Sequence, residues 1–152
     1  MKIKLTTKSE EETVDLGRKL AMLLKAGDIV GLNGELGSGK TTFIKGVAQG
    51  LKVKKGTVHS PTFVFMNMYE GTLPLFHFDL YRLERLDQIY GLGYEEFLFG
   101  PGVALIEWVE RMEHLKPKEY LDIRLSHKSP TERTIEITAA GDRYKTILNK
   151  LK

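Results

Sequence analysis

The run Gly34-Glu35-Leu36-Gly37-Ser38-Gly39-Lys40-Thr41 satisfies G-x-x-x-x-G-K-[ST] at every fixed position. An apolar stretch of strand length, 28–33, leads straight into it. Behind it, Phe43, Ile44, Val47, Ala48 and Leu51 recur at helical spacing, which predicts a helix over 40–51. Strand, glycine loop and helix in that order make one anion-binding unit. Gly34, Gly37 and Gly39 permit positive φ and carry no Cβ, so successive backbone N–H groups can converge on phosphate oxygens. The helix that follows adds its free N–H groups and positive dipole end. Lys40 supplies a mobile charge to the β- and γ-phosphates, Thr41 a hydroxyl for magnesium, and Thr42 a contact to the α-phosphate. Residues 34–42, with Glu35, Leu36 and Ser38 among them, are therefore read as a site for ATP and Mg2+.

The remaining pattern sets the fold around that unit. Residues 3–5 read as a short strand, and Ser9 with Glu12 forms a capping box for a helix ended by Gly27. Residues 62–69 and 73–79, joined by Glu70-Gly71-Thr72, read as a hairpin. Short helices are expected over 83–90 and 94–99. Val103-Ala104-Leu105-Ile106 is an almost purely apolar strand of the central kind. Residues 121–127 and 134–138 alternate and form a second hairpin, and 143–151 closes the chain as a helix. Parallel βα units followed by antiparallel pairs predict an α/β, three-layer P-loop NTPase-like domain with a mixed, mainly parallel central sheet. Its ligand sits at the carboxyl ends of the parallel strands. At 152 residues, 1–152 is expected to be a single P-loop ATPase domain.

A P-loop site also needs a carboxylate at the end of a neighbouring strand. Asp79 ends Pro74-Leu75-Phe76-His77-Phe78-Asp79, and Glu107 ends Val103-Ala104-Leu105-Ile106-Glu107. Asp79 is assigned to magnesium and Glu107 to orienting or deprotonating the attacking water, although spacing alone does not rank the two, so Glu107 stands as a metal candidate as well. Lys40 and Glu107 are the catalytic candidates. His77 reads as a structural donor within its strand, and Trp108, the only tryptophan, as a core or interface anchor. Ser60 and Thr62, in His59-Ser60-Pro61-Thr62-Phe63, offer hydroxyls for a γ-phosphate switch, while a Ser-Pro-Thr turn needs no ligand to explain it.

Composition narrows the chemistry further. Cysteine is absent, which excludes disulfides, thiolate zinc sites and cysteine nucleophiles. No apolar run approaches the roughly 20 residues that span a bilayer. Met1-Lys2-Ile3-Lys4-Leu5 lacks the apolar stretch of a signal peptide, so a cytoplasmic protein without a membrane role is expected. The net charge of +3 is spread out, and no aromatic-basic ladder accompanies it, which favours a solvated surface over a nucleic-acid footprint.

Four segments in their order resemble the bacterial TsaE family, also called YjeE. They are Gly34 to Phe43, then His59-Ser60-Pro61-Thr62-Phe63, then His77-Phe78-Asp79-Leu80-Tyr81-Arg82-Leu83, then Leu105-Ile106-Glu107-Trp108. The likeness runs from the helix after Ser9 to about Arg111. It implies an ATPase that works with the TsaD and TsaB proteins to form threonylcarbamoyladenosine in tRNAs reading codons that start with A, with tRNA met through the complex. Carried over by motif, Lys40 and Thr41 contact phosphate and magnesium, Asp79 ligates magnesium, and Glu107 is the acid near the γ-phosphate. The sequence departs from the family at Glu35, where Asp is common, at Ser38, where Ala is common, and at Val109, where Pro often follows the tryptophan. A small-molecule kinase and a nucleotide-gated binding module with incidental hydrolysis are the competing readings. A kinase needs an arginine-bearing lid, and only Arg82 and Arg85 stand between the P-loop helix and Glu107.

Overall fold

The computed structural model describes residues 1–35, 37–54, 65–91 and 93–152. Leu36 and the segment holding Ser60 and Thr62 lie outside them, as does the first part of the strand expected over 62–69.

The first strand, β1 (Lys2–Thr7), hands the chain to α1 (Glu10–Ala21) through the cap the sequence predicts. Ser9 is extended, and its hydroxyl accepts from the Glu12 N–H at 3.1 Å, while the Glu12 carboxylate accepts from the Lys8 N–H. Three glutamates occupy the first turn, and Arg18 and Lys19 the last, complementing the dipole at both ends. The helix stops at Ala21, short of Gly27. Beyond Ala21, Leu23 and Leu24 bond back three residues, to Leu20 and Ala21, Asp28 accepts the Lys25 N–H at 2.7 Å, and Arg143 from the far end of the chain donates to the Leu23 carbonyl at 2.8 Å, so these backbone groups are met outside a helix.

Next come β2 (Ile29–Asn33) and α2 (Lys40–Gly50). Helices α1 and α2 lie backbone to backbone. A Cβ on Gly46 would fall 2.1 Å from the Val14 carbonyl oxygen, and one on Gly17 2.4 Å from that of Phe43, so any side chain at either position forces the pair apart.

The strands β3 (Met66–Tyr69) and β4 (Leu75–Asp79) form the expected hairpin, with Tyr69 level with Leu75 and Met66 with Phe78. Two short helices follow, α3 (Asp87–Tyr90) and α4 (Tyr94–Leu98). The helix expected over 83–90 starts late because the Gln88 side-chain oxygen takes the N–H groups of both Glu84 and Arg85 at 3.0 Å, holding those residues as a turn. Strand β5 (Val103–Glu107) leads into a 3-10 stretch, Val109–Leu115. The chain closes with the hairpin β6 (Tyr120–His127) and β7 (Arg133–Ala140) and helix α5 (Asp142–Leu151).

The seven strands among the described residues join one sheet in the order β1-β7-β6-β2-β5-β4-β3. The four central strands, β6, β2, β5 and β4, are mutually parallel; on one side β7 pairs antiparallel with β6 and β1 antiparallel with β7, and on the other β3 pairs antiparallel with β4. β2 and β5 are buried along their whole length, as centrally placed strands covered on both faces must be. Leu20, Phe43, Val47, Tyr144 and Ile147 pack from α1, α2 and α5 on one face, against Leu32, Leu105 and Ile123. Ile89, Leu98, Val109 and Met112 cover the other face, against Phe76, Phe78 and Ile106. The α/β, three-layer, mixed sheet with an antiparallel C-terminal hairpin is as the sequence led one to expect. Among the described residues no helix is long and apolar enough to cross a membrane.

Candidate functional site

The carboxyl ends of β4 and β5 and the start of α2 meet at a cavity of about 740 Å³. Gly37, Gly39, Lys40, Thr41 and Thr42 form its floor, with Asp79 and Glu107 beside them. Gly37 and Gly39 have φ of 79° and 105°, a region that is strained for any residue with a side chain. Gly39 begins α2 without a side-chain cap, so the first amides of the helix are not taken by a capping side chain.

Gly34, Glu35 and Ser38 lie on the reverse of the loop. They line a second hollow of about 500 Å³ with Asn33, Arg124 and His127. A Cβ on Gly34 would stand 2.5 Å from the Leu125 carbonyl oxygen, so the loop presses directly on β6. Ser38 is fully buried, and its hydroxyl has no partner among the described residues.

Lys40 is only 6% exposed. Its ammonium donates to the Gly34 carbonyl and stands 3.9 Å from the centroid of the Trp108 ring, a cation–π distance. Burial pulls its pKa below the ordinary value, and the charges of Glu107 and Asp79 act against that fall. A cation desolvated between a carbonyl and a ring face, with two carboxylates as its electrostatic neighbours, is poised for an anion of high charge.

Asp79 and Glu107 are register partners on adjacent parallel strands. The Asp79 carboxylate accepts the Tyr81 N–H at 3.1 Å and is exposed; Glu107 is buried, and its Oε2 lies 2.8 Å from His77 Nε2. Among the described residues no group of three or more His, Asp or Glu side chains gathers tightly enough to cage a metal alone. The donor set of one hydroxyl, Thr41, and strand-end carboxylates fits magnesium shared with phosphate oxygens, the usual habit of that ion.

Sequence reasoning missed the far wall. Lys8, Ser9, Glu10 and Thr13 from the start of α1, and Pro130, Thr131 and Arg133 from the β6–β7 turn, complete the cavity. Ser9 was legible as a cap and 128–132 as a hairpin turn, but no spacing ties either to a glycine loop. Arg133 makes the connection: its guanidinium donates to the carbonyls of Ser129, Pro130 and Glu132 and reaches that of Gly37 at 3.5 Å. Trp108, read as an anchor, packs against the core and in addition lines both hollows, lies under Lys40, and packs on Tyr81 at 5.2 Å between ring centroids. Its φ of 62° is uncommon for a bulky residue and is held by its N–H donating to Leu32 at 2.9 Å.

The comparisons with known proteins agree with this geometry. Residues 7–135 match the family model of TsaE, the threonylcarbamoyl adenosine biosynthesis protein. The chain is 41% identical over 150 residues, 98% of this chain and 93% of the relative, to the tRNA threonylcarbamoyladenosine biosynthesis protein TsaE of Bacillus subtilis. To the protein of the same name from Aquifex aeolicus it is 46% identical over 105 residues, 68% of this chain and 74% of the relative. A crystal structure of Bacillus subtilis YdiB superposes with a TM-score of 0.83 at 36% identity, covering 99% of this chain and 94% of the other. Matched through the glycine loop, both strand-end acids and the β6–β7 turn, the chain belongs to the TsaE family.

Proposed function

We propose that this chain is the ATP-binding and ATP-hydrolysing subunit required to form threonylcarbamoyladenosine in tRNAs reading codons that start with A, acting with TsaD and TsaB. The observation that carries the reading is the convergence on one cavity of the start of α2, the buried Lys40 ammonium, and the register-paired Asp79 and Glu107. Residues 1–152 act as one P-loop ATPase domain in the cytoplasm, and tRNA is met through the complex. The relatives named above are tRNA threonylcarbamoyladenosine biosynthesis proteins, which supports the process assigned.

The loop of residues 34–42 holds the triphosphate through its cavity-lining members Gly37, Gly39, Lys40, Thr41 and Thr42 and the adjoining amides of α2, with Lys40 moving from the Gly34 carbonyl onto phosphate oxygens. The wall formed by Ser9, Glu10, Thr13, Pro130 and Thr131 receives the nucleoside end, the part of the cavity away from the acids. Thr41 and Asp79 hold magnesium, which when bound supplies positive charge to the β- and γ-phosphate oxygens. Glu107, the more buried acid, orients the attacking water and accepts its proton. Ser60 and Thr62 are proposed to sense the γ-phosphate.

Release of phosphate from MgATP, measured with and without purified TsaB and TsaD, tests this reading. We expect turnover that rises with the partners. Transfer of the γ-phosphoryl group to a small acceptor would point to a kinase instead, and tight nucleotide binding without turnover in any mixture would leave only a nucleotide-gated module.

A further inference from the structure

His77 and Glu107 belong to neighbouring parallel strands, but they are not level. His77 is opposite Leu105, and Glu107 is opposite Asp79. Alternation along each strand puts His77, Asp79, Leu105 and Glu107 on the same face of the sheet, so the Glu107 side chain reaches back by one pair to meet the imidazole. Nε2 and Oε2 are 2.8 Å apart, with the two side chains 14% and 10% exposed. A carboxylate offers only lone pairs, so with Glu107 as the acceptor the imidazole Nε2–H is the donor of this contact. The ring is steadied from the edge strand by Tyr69, whose ring stacks on it at 6.5 Å between centroids and 29° between planes.

Glu107 takes no other side-chain hydrogen bond among the described residues. A free glutamate at a cavity wall samples several rotamers, and a bond at Oε2 removes most of that freedom while leaving Oε1 available. An acid or base oriented by a third group is a recurring arrangement in catalytic sites, because the reacting oxygen must be held to within a fraction of an ångström.

We infer that His77 is a positioning residue for hydrolysis: it fixes one oxygen of Glu107 so that the other meets the attacking water in a constant direction. The inference rests on the role proposed above for Glu107. A histidine that only filled space beside Tyr69 would affect folding, or binding and turnover together. A positioning histidine affects turnover alone, and a side chain that restores the donor restores the rate.

The test uses the full chain with TsaB and TsaD, comparing His77→Leu and His77→Gln with the unaltered protein in kcat, KM for MgATP and nucleotide affinity. His77→Leu should lower kcat about 10- to 100-fold, the range typical of lost outer partners, with KM and affinity within about twofold. Glutamine places an amide nitrogen near the position of Nε2, and His77→Gln should recover most of the loss. Unchanged kcat in His77→Leu, equal losses in both variants, or affinity falling in step with kcat would overturn the role. Absence of turnover in the unaltered protein would instead remove the hydrolase reading. In that case nitrogen-15 NMR of the histidine rings still decides the contact: we expect a slowly exchanging Nε2–H signal for His77 that is lost in Glu107→Ala, and its absence from the unaltered protein overturns the inference.

Discussion

At the start of β2, Asp28 is buried and its oxygens are fully engaged. Arg143 donates to both of them, at 3.1 and 2.7 Å, the Lys25 N–H donates at 2.7 Å, and the neighbouring Ile29 N–H goes to the Tyr144 hydroxyl at 2.8 Å. At the other end of the same strand Lys40 is equally buried, yet it has no carboxylate in ion-pair range among the described residues, only a carbonyl and a ring face. Ser38 beside it has a buried hydroxyl with no partner among those residues. Both ends bury charge, but only the first satisfies it. A buried ion with every hydrogen bond made belongs to the scaffold, where removing a partner is costly. A buried cation held by weak partners keeps its attraction for a ligand, at the expense of the folded state.

That contrast breaks if the two ends respond alike to loss of a charge. The largest effect is expected from Lys40→Met: nucleotide affinity should fall about 10²- to 10³-fold and tRNA modification by the reconstituted proteins should cease, while the melting temperature holds or rises. Calorimetry and titration on one sample check both halves, and a melting temperature that falls would place Lys40 with the scaffold. Arg143→Met should do the reverse. Breaking its partly exposed pair with Asp28 costs about 2–3 kcal/mol, a drop of about 5–10 °C, with kcat at 25 °C unchanged. Glu107→Gln keeps the shape of the acid, so nucleotide binding should survive while hydrolysis slows about 100-fold, and normal phosphate release from it would remove the residue from the chemistry. Asp79→Ala should weaken the magnesium requirement of nucleotide binding about tenfold; an unchanged magnesium titration would hand that role to Glu107.

The smallest effect sharpens the comparison on the far face of the sheet. Burial first, then the charge of Glu110, raises the Asp122 carboxyl above its ordinary pKa, with Arg124 and the 2.9 Å hydrogen bond from the Asn33 amide acting against them. The folded state therefore holds this proton more tightly than the unfolded chain does. Its contribution to stability is complete below the ordinary value and is lost as pH rises through the raised one. Asp122→Asn should flatten that part of the stability profile and lift the melting temperature at neutral pH by about 1 °C. A profile with the same slope in the variant would show that another group titrates there.

What could be read from the residues follows from what is local. The glycine loop, the Ser9 cap, the apolar alternation of β6 and the strand-end acids each advertise themselves within a few positions, because φ preferences, capping and side-chain periodicity act over one or two turns. The parts that stayed hidden are all meetings of distant segments. His77 was read as a structural donor because a lone histidine alternating with Phe76 and Phe78 usually fills that role; parallel pairing of β4 with β5 shows which acid it meets, Glu107. Past the end of helix α1, the Leu23 carbonyl is met by an arginine more than a hundred residues downstream. The wall made by Lys8, Ser9 and Thr131 depends on β1 and β7 lying side by side at one edge of the sheet, and on Arg133 stitching the turn to the loop.

The sequence by itself determined the strand, glycine loop and helix start around residues 34–42, since glycine φ freedom and helical periodicity act locally, and the polyphosphate site proposed there rests on that unit. It also determined the layers, because hydrophobic period decides which elements can cover a sheet. Only the tertiary structure decided how buried Lys40 is, which acid is held and by what, and which distant residues wall the cavity. Burial and long-range hydrogen bonds depend on strand order, and strand order is a property of the packed whole that no short stretch of residues encodes.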